Sequence, residues 1–176
     1  MTSVRDAAAQ ASLPGRVRAF LAAHSTMVLA TSGVAGPWAA PVFYALDDSA
    51  ELGLLFVSHA TSRHGRDLAA GGTAAAAVAA QHEQWRAIRG VQLEGEVDAL
   101  TGEPRLDALQ ALVERFPWLT ELAASSDEQE RRIAALLIDA TIYRLRPSRA
   151  VLIDNEVAFG SRDELVIRPS GLPASA

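Results

Sequence analysis

The sequence predicts an α+β protein that is mainly β, an antiparallel β-barrel of about six or seven strands with helices packed on it. Short apolar segments alternate with turn residues through the first sixty positions, which is typical of an antiparallel meander. A longer segment near the middle alternates apolar and polar residues, as a strand with one buried face does. Apolar residues then recur at helical spacing over residues 106–137, so helices are expected after the strands.

The N-terminal third is predicted as one helix followed by the meander. Residues 1–12 are small and mixed in character, so we expect them to be disordered. Pro14 suits the first turn of a helix, which we expect to end near His24. Turns rich in Gly, Pro, Asp and Ser then separate three apolar segments. The predicted strands are Thr26–Thr31, Trp38–Leu46 and Leu52–Ser58.

The middle of the chain is predicted to add two strands. Residues 73–80 are mostly alanine, which has the highest helix propensity. The segment nevertheless shows no helical alternation of faces and follows a Gly-Gly break, so we interpret it as a strand of small residues. Residues 85–100 form the clearest predicted strand. Within it, Gly90 and Gly95 indicate a bulge or a close approach by another backbone.

The C-terminal part is predicted to contain packing helices and the last strands. The first helix can be capped by Thr101 and ends at Pro117, and the second begins with a capping box at Ser126–Gln129. We expect a single domain over residues 13–168 and a disordered tail at residues 169–176. The remaining predicted strands are Thr141–Leu145, Ala150–Ile153 and Glu164–Ile167.

Composition excludes several classes of protein. A net charge of −5 and a pI near 5.3, with no basic stripe, argue against nucleic-acid binding. The chain has no cysteine, which excludes disulfides, iron–sulfur clusters and cysteine-ligated zinc. No stretch approaches the ~18 apolar residues of a membrane span, and no signal-peptide pattern precedes the first helix. We therefore expect a cytoplasmic protein that does not bind membranes.

The stretch from Phe56 to Leu68 carries the chemistry, because an apolar strand ends there in hydroxyl and basic residues and enters a short helix. Thr61 or Ser62 can cap that helix with its side-chain oxygen. Free amides and the positive end of a helix dipole make such a junction an anion site. Arg63 adds a planar fork that matches phosphate oxygens. The pattern indicates a phosphate site, and the alternative is a capped surface helix with solvated basic residues.

Other candidate sites are weaker. The spacing of the four histidines matches no metal-binding motif, so no metal site is expected, although a histidine ligand to haem iron stays open. Ser58, His64 and Asp67 could form a Ser-His-Asp set, but any chain of this length yields such triples. The three tryptophans are interpreted as core or interface anchors. The histidines are His24, His59, His64 and His82.

Taken together, the order of strands and a set of short motifs resemble the flavin-binding split barrels related to pyridoxamine 5′-phosphate oxidase, and within that group the uncharacterised YhbP-type proteins. The resemblance extends from about Met27 to about Arg168, which is nearly the whole domain. The motifs that carry it are Trp38–Tyr44, Thr61–His64, Ile88–Glu96, Arg115–Pro117, Asp154–Asn155 and Phe159–Gly160.

The resemblance implies an antiparallel split β-barrel that forms a homodimer with FMN at the subunit interface. In the oxidase, a Ser-Arg-Lys-Gly motif after the third strand holds the flavin phosphate, and here it falls on Ser62–Gly65. Ser62 and Arg63 match the motif. His64 replaces the lysine, so the second positive charge depends on pH.

The same resemblance implies further cofactor contacts. Ser58 matches a hydroxyl position near the flavin, while Thr26 and Thr31 replace the Arg and Lys at the two ends of the oxidase's first strand. The ring would lie against the alanine-rich strand and the strand around Phe43. The oxidase's C-terminal substrate motif is replaced by Ile153–Glu156, so pyridoxamine phosphate is not the expected substrate. The predicted FMN-binding residues are Thr31, Phe43, Ser58, Thr61, Ser62, Arg63 and His64.

Three functions are compatible with these features. The first is an FMN-dependent oxidoreductase of unknown substrate, in which the flavin carries the redox chemistry. No residue stands out as an essential acid or base, which suits hydride transfer at a cofactor. The second is a non-catalytic flavin or haem binding dimer that acts in storage or sensing. The third is a dimeric scaffold without a cofactor.

Overall fold

A computed structural model describes residues 12–48 and 52–168 of the chain. The two segments predicted to be disordered, residues 1–12 and 169–176, lie outside the described residues except for Ser12. Ser12 is ordered and caps the first helix, since its side chain accepts a hydrogen bond from the Gly15 amide.

The described residues form seven strands, five α-helices and one 3₁₀ turn at Trp85–Ala87. The helices are α1 (Leu13–Ala22), α2 (Arg63–Gly71), α3 (Gly102–Arg115), α4 (Trp118–Ala124) and α5 (Glu128–Asp139). The strands are β1 (Thr26–Gly33), β2 (Gly36–Asp47), β3 (Gly53–Ser58), β4 (Thr73–Ala79), β5 (Arg89–Ala99), β6 (Thr141–Asp154) and β7 (Arg162–Val166).

All of the strand pairs are antiparallel, and six strands close into a barrel. The order is β3-β2-β1-β4-β5-β6, and β3 pairs with β6 to close the ring. β7 adds to the outer part of β6 as a seventh strand. The mainly β barrel with packed helices that the sequence predicts is therefore confirmed.

β4 shows why alanine can build a strand. Its residues alternate between exposed and buried along the whole length, so Ala74, Ala76 and Val78 face the core while Ala75 and Ala77 face outward. The interpretation of this alanine run as a strand is confirmed. The helix propensity of alanine does not decide the structure here, because β1 and β5 on the two sides of β4 supply its backbone hydrogen bonds and one face of the strand is buried.

β6 is a single long strand, whereas the sequence predicted two strands across Pro147. The register between β5 and β6 shifts between Glu94 and Gly95, which is a β-bulge. A Cβ atom on Gly95 would lie 2.0 Å from the carbonyl oxygen of Arg146. The bulge lets β6 continue, so that its first part pairs with β3 and its last part with β7.

Three local predictions need correction. Residues Trp85–Ala87 form a 3₁₀ turn, and the strand predicted to begin there begins at Arg89. Asp127, not Ser126, caps α5, because its carboxylate accepts a 3.0 Å hydrogen bond from the amide of Glu130. Thr101 precedes α3 without a side-chain capping bond. The first two errors are shifts of a boundary, which pattern alone locates poorly, and the third is a capping hydrogen bond that does not form.

Two apolar clusters hold the fold together. The larger fills the barrel with side chains such as Leu29, Leu54 and Phe56, and α1 adds Val17, Phe20 and Leu21. The smaller packs α3 against the outside of β2, β3 and β6. The helices after β5 cover that side of the barrel. The outward face of β1 and β4 lies elsewhere on the barrel and is exposed.

None of the helices in residues 12–48 and 52–168 has the length and apolar character needed to cross a membrane.

Candidate functional site

The junction between β3 and α2 is built around a capped helix start. Ser62 is the N-cap residue of α2, and its Oγ accepts a 3.0 Å hydrogen bond from the Gly65 amide. A Cβ atom on Gly65 would lie 2.3 Å from the carbonyl oxygen of His59, so glycine allows the loop to fold tightly over the helix. The capping by Ser62 is confirmed, and Thr61 is exposed in the loop before it.

A chain of side-chain hydrogen bonds crosses this junction. The Ser58 Oγ lies 2.9 Å from the Ser62 Oγ and 2.5 Å from the His64 Nε2. Ser58 is buried at the end of β3, and His64 is partly buried in the first turn of α2. Burial lowers the pKa of His64, and the negative charge of Asp67 acts in the opposite direction. The imidazole is thus held against the two hydroxyls, and its burial disfavours the charged form of the ring.

Arg63 extends from the same helix start to the β1–β2 turn. Its Nη2 donates to the carbonyl oxygen of Ala35 at 2.8 Å and to those of Gly36 and Pro37 at 3.3 Å. The guanidinium also lies over the Trp38 ring, 4.6 Å from the centroid. The Arg63 Nε is buried and has no hydrogen-bond acceptor among the described residues. The side chain is therefore held in place while one donor stays unsatisfied.

Asp67 lies one turn further along α2 and contacts β1. Its carboxylate accepts a 2.8 Å hydrogen bond from the Thr31 hydroxyl and packs directly on Gly33. No hydrogen bond joins Asp67 to His64 in residues 12–48 and 52–168. Ser58, His64 and Asp67 therefore do not form the relay of a serine hydrolase, in which the carboxylate orients the imidazole.

The outward face of β1 and β4 forms a second feature, a groove of about 640 Å³. Its floor consists of small and apolar residues, among them Val28, Ala30, Ala75 and Ala77. Charged side chains line the groove on the side of β5, β6 and β7. There the Arg149 Nε lies 2.7 Å from the Glu164 Oε1, and the Arg149 Nη1 lies 3.6 Å from the Glu94 Oε1. The alanine-rich strand thus presents small apolar side chains on its outward face.

The structure brings together six of the seven predicted cofactor-binding residues and separates Phe43 from them. Phe43 lies five positions beyond Trp38 on β2 and faces the other side of the strand. It is 52% exposed, with its ring 5.3 Å from that of Phe116 and 5.8 Å from that of Trp118. The six clustered residues are Thr31, Ser58, Thr61, Ser62, Arg63 and His64.

Sequence reasoning missed Trp38 and the turn carbonyls as partners of Arg63. Trp38 pairs with Thr31 across β1 and β2 and so points to the same side as Thr31, toward α2. That register could be inferred only once the hairpin pairing was known. The sequence indicated Asp67 only as a possible member of a Ser-His-Asp set, although its spacing of three from His64 places both residues on one face of the helix.

The cap makes a direct prediction about stability. Replacing Ser62 with Ala should lower the free energy of unfolding by about 1 kcal/mol, because the Gly65 amide loses its acceptor. Urea unfolding followed by circular dichroism measures this change. Thr61→Ala is the matched control, since Thr61 is exposed and does not cap the helix. Equal losses in the two variants would contradict the assignment of the cap.

No group of three or more His, Cys, Asp or Glu residues in residues 12–48 and 52–168 is arranged to hold a metal ion. His24 is engaged by the carbonyl oxygen of Phe20 at 2.7 Å, and His64 by Ser58. His59 and His82 are exposed.

Comparisons with known proteins agree with this architecture. The family model described as pyridoxamine 5′-phosphate oxidase matches residues 13–145. The UPF0306 protein YhbP of Escherichia coli is 27% identical over 125 residues, which cover 71% of this chain and 74% of the relative.

Solved structures with the same fold include two described as cofactor-binding proteins. A haem-binding protein from Mycobacterium smegmatis superposes with a TM-score of 0.69 at 22% identity, over 89% of this chain and 59% of that chain. This chain therefore spans less than two thirds of that protein's length. A FAD-binding protein from Mesorhizobium loti gives a TM-score of 0.56 at 16% identity, over 76% of this chain and 88% of that chain. At these identities the likeness shows the fold.

Proposed function

This chain belongs to the pyridoxamine 5′-phosphate oxidase family, and from that premise we propose that it binds FMN as a homodimer and acts as an oxidoreductase on a small molecule. Residues 13–168 would form one cofactor-binding domain. The N-terminus of α2 would hold the flavin phosphate, and the outward groove of β1 and β4 would take the ring. Each part of this proposal draws on a feature of the described residues.

The unsatisfied donor of Arg63 carries the proposal. The Arg63 Nε–H is buried without an acceptor, which is a costly state unless a ligand atom completes it. The amides of Arg63 and His64 at the start of α2 also have no acceptor in the part of the chain that the structure describes. A phosphate monoester carries nearly two negative charges at neutral pH and offers three acceptor oxygens. The chemistry of the donors therefore fits a phosphate group.

The hydroxyl groups around this point complete the fit. The hydroxyls of Ser58 and Ser62 are hydrogen-bonded to each other at the helix start, and the Thr31 hydroxyl on β1 contacts the same helix through Asp67. Asp67 contributes a negative charge on the far side, where Thr31 holds it. Permanent positive charge comes from Arg63, which is partly buried, and from Arg66, which is exposed. Phosphate affinity should depend more strongly on Arg63, because solvent screens the charge of an exposed side chain.

A flavin, when bound, would supply hydride or electron transfer, which ordinary side chains cannot perform. This chain's residues would bind the phosphate, orient the ring and exclude water from one of its faces. Pyridoxamine phosphate is not proposed as the substrate, since the region of the oxidase's substrate motif reads Ile153–Glu156 here. The substrate is proposed only as a small molecule that exchanges hydride or electrons with the flavin.

The dimer is proposed because the floor of the groove is open and apolar. Val28 on β1 is 46% exposed, and Ala75 and Ala77 beside it on β4 are exposed too. A second copy lying over this face would bury these residues and enclose a ring between two subunits. Phe43 lies on the same outward side of β2 and could contribute to such an enclosure.

The test is reconstitution of the purified protein. FMN, riboflavin and haem are added separately, excess ligand is removed, and the absorbance spectrum and light-scattering mass are recorded. Flavin bands retained with FMN in a particle of two chains support the proposal. A protein that retains no flavin contradicts the proposed cofactor, and a protein that stays a monomer with FMN bound contradicts the proposed dimer. Bleaching by a reduced nicotinamide, followed by reoxidation with an electron acceptor, separates catalysis from mere binding.

A non-catalytic haem protein is the alternative. The candidate ligand for haem iron is His59, which is exposed and directly follows Ser58 at the end of β3. The fold likeness to a haem-binding protein makes this worth testing. A Soret band after haem addition, together with loss of that band in His59→Ala, would favour haem over flavin.

A further inference from the structure

We propose that this phosphate site is proton-linked, so that a phosphate monoester binds together with a proton that is held on His64. The inference rests on the proposed function, because it concerns the same anion site at the start of α2. It adds a dependence on pH that a permanent cation at this position would not give.

The position and the contacts of His64 are the first reason. His64 is the second residue of α2, directly after Arg63, so it lies in the turn whose amides point at the anion. Its Nε2 is 2.5 Å from the Ser58 Oγ, which fixes the ring against the hydroxyl pair. With a neutral imidazole, the positive charge of Arg63 is offset by the negative charge of Asp67. Protonation of His64 therefore changes the net charge of these three side chains from zero to +1.

The direction of the hydroxyl hydrogen bonds is the second reason. A bare Nε2 accepts the Ser58 hydrogen, which leaves the Ser62 hydroxyl to donate to Ser58. A protonated Nε2 instead donates to the Ser58 oxygen, so that the Ser58 hydroxyl can donate to Ser62. The Ser62 hydrogen is then released toward a ligand, while its oxygen still caps Gly65. Protonation thus adds a charge and also frees a hydroxyl donor.

The surroundings of His64 contain few other groups that titrate. Asp67 of the same helix acts on the ring by its charge, whereas Ser58 of β3 and Thr31 of β1 are neutral. Arg63 directs its guanidinium at the β1–β2 turn, Arg66 of the same helix donates to the carbonyl oxygen of Thr61, and His59 in the loop is exposed. Burial holds the pKa of His64 below its usual value, so the ring is mostly neutral at pH 7 in the free protein.

The sign of the effect follows from these states. A phosphate beside the ring favours the imidazolium and raises the pKa of His64 in the complex. Affinity for the phosphate therefore increases as the pH falls through the interval between the two pKa values, and one proton is taken up on binding. Phosphate itself gains a proton near pH 6, which weakens its attraction to cations. A variant that keeps the phosphate titration but lacks the imidazole separates the two effects.

The experiment measures the FMN dissociation constant from flavin fluorescence between pH 5.5 and 8.5, at constant ionic strength, for wild type, His64→Lys and His64→Gln. The lysine variant is charged throughout and the glutamine variant is neutral throughout. We expect the wild-type affinity to approach that of the lysine variant at low pH and that of the glutamine variant at high pH. Relative to the lysine variant it should change by ~5- to 10-fold, since a single proton allows at most tenfold per pH unit.

Two further measurements make the outcomes distinct. Calorimetry in buffers of different ionisation enthalpy should show uptake of up to one proton by wild type beyond that of His64→Lys, with FMN as the probe. Riboflavin, which has no phosphate, should bind with the same pH profile in all three proteins. Parallel profiles of wild type and both variants with FMN would overturn the proton link while leaving the flavin site intact. An absence of FMN binding at every pH would overturn the proposed function as well.

Discussion

Arg63→Ala should weaken FMN binding by at least ~2 kcal/mol, about 30-fold in Kd, because a charge-assisted contact to the phosphate is lost. Riboflavin should bind both proteins equally, since it lacks the group that Arg63 contacts. The FMN affinity is measured by quenching of flavin fluorescence at fixed pH and salt. The difference between the two ligands isolates the phosphate contact from any general change in the site.

The control for this variant is Arg66→Ala. Arg66 lies on the same helix, is exposed, and donates to the carbonyl oxygen of Thr61 rather than to the β1–β2 turn. This variant removes the same charge from a solvent-exposed side chain, so it should weaken FMN binding clearly less than Arg63→Ala does. Since Arg63 also holds the turn through Ala35, thermal unfolding of both variants is recorded first. Equal FMN affinity in wild type and Arg63→Ala, or equal losses in both variants, would contradict the phosphate site.

Gly95→Ala should destabilise the fold by about 3 kcal/mol, because the new methyl group has no room where Gly95 of β5 faces the bulge of β6. Its Cβ atom would lie 2.0 Å from the carbonyl oxygen of Arg146 and 2.7 Å from the Cα of Pro147. Both atoms belong to the backbone of β6, so relief requires the two strands to separate. For a domain of this size the change corresponds to a fall in Tm of roughly 6–12 °C.

The matched control is Gly71→Ala, at the last residue of α2. No atom lies within 4 Å of a Cβ placed there, and the residue does not need a positive φ. Alanine is favoured over glycine in a helix, so this variant should be neutral or slightly more stable. Differential scanning calorimetry of both proteins measures the contrast. A Gly95→Ala protein that melts with wild type would mean that β5 and β6 are not in the close contact described.

The sequence was sufficient for most of the strands because alternation and turn residues are local properties. β1 to β3 and the helix that follows lie within a few residues of their predicted bounds. For the alanine run of β4, intrinsic propensity favours a helix, whereas the Gly-Gly break before it favours a strand, and residues 73–79 do form a strand. The resemblance to the oxidase family and to YhbP is confirmed by the family match and by the relatives found.

Other features could not be read from local pattern. The continuity of β6 across Pro147 depends on a bulge at Ser148, where β6 has one more residue than the facing part of β5, and such a bulge is a property of the strand pair. The 3₁₀ turn at Trp85–Ala87 and the cap at Asp127 are boundary details, because the same residues are also compatible with an element that begins one or a few positions away. The sequence alone also did not show that Phe43 and Trp38 lie on opposite faces of β2, because this follows from the twofold period of the strand.

What the sequence by itself determined is the order of the elements and the presence of hydroxyl and basic residues where β3 gives way to α2, because both depend on neighbours along the chain. Only the tertiary structure decided which of these groups meet. The β1–β2 hairpin brings the turn carbonyls and Trp38 to Arg63, and β1 brings Thr31 to Asp67. Those contacts join residues about thirty positions apart, and their geometry follows from strand pairing and helix packing rather than from any short motif.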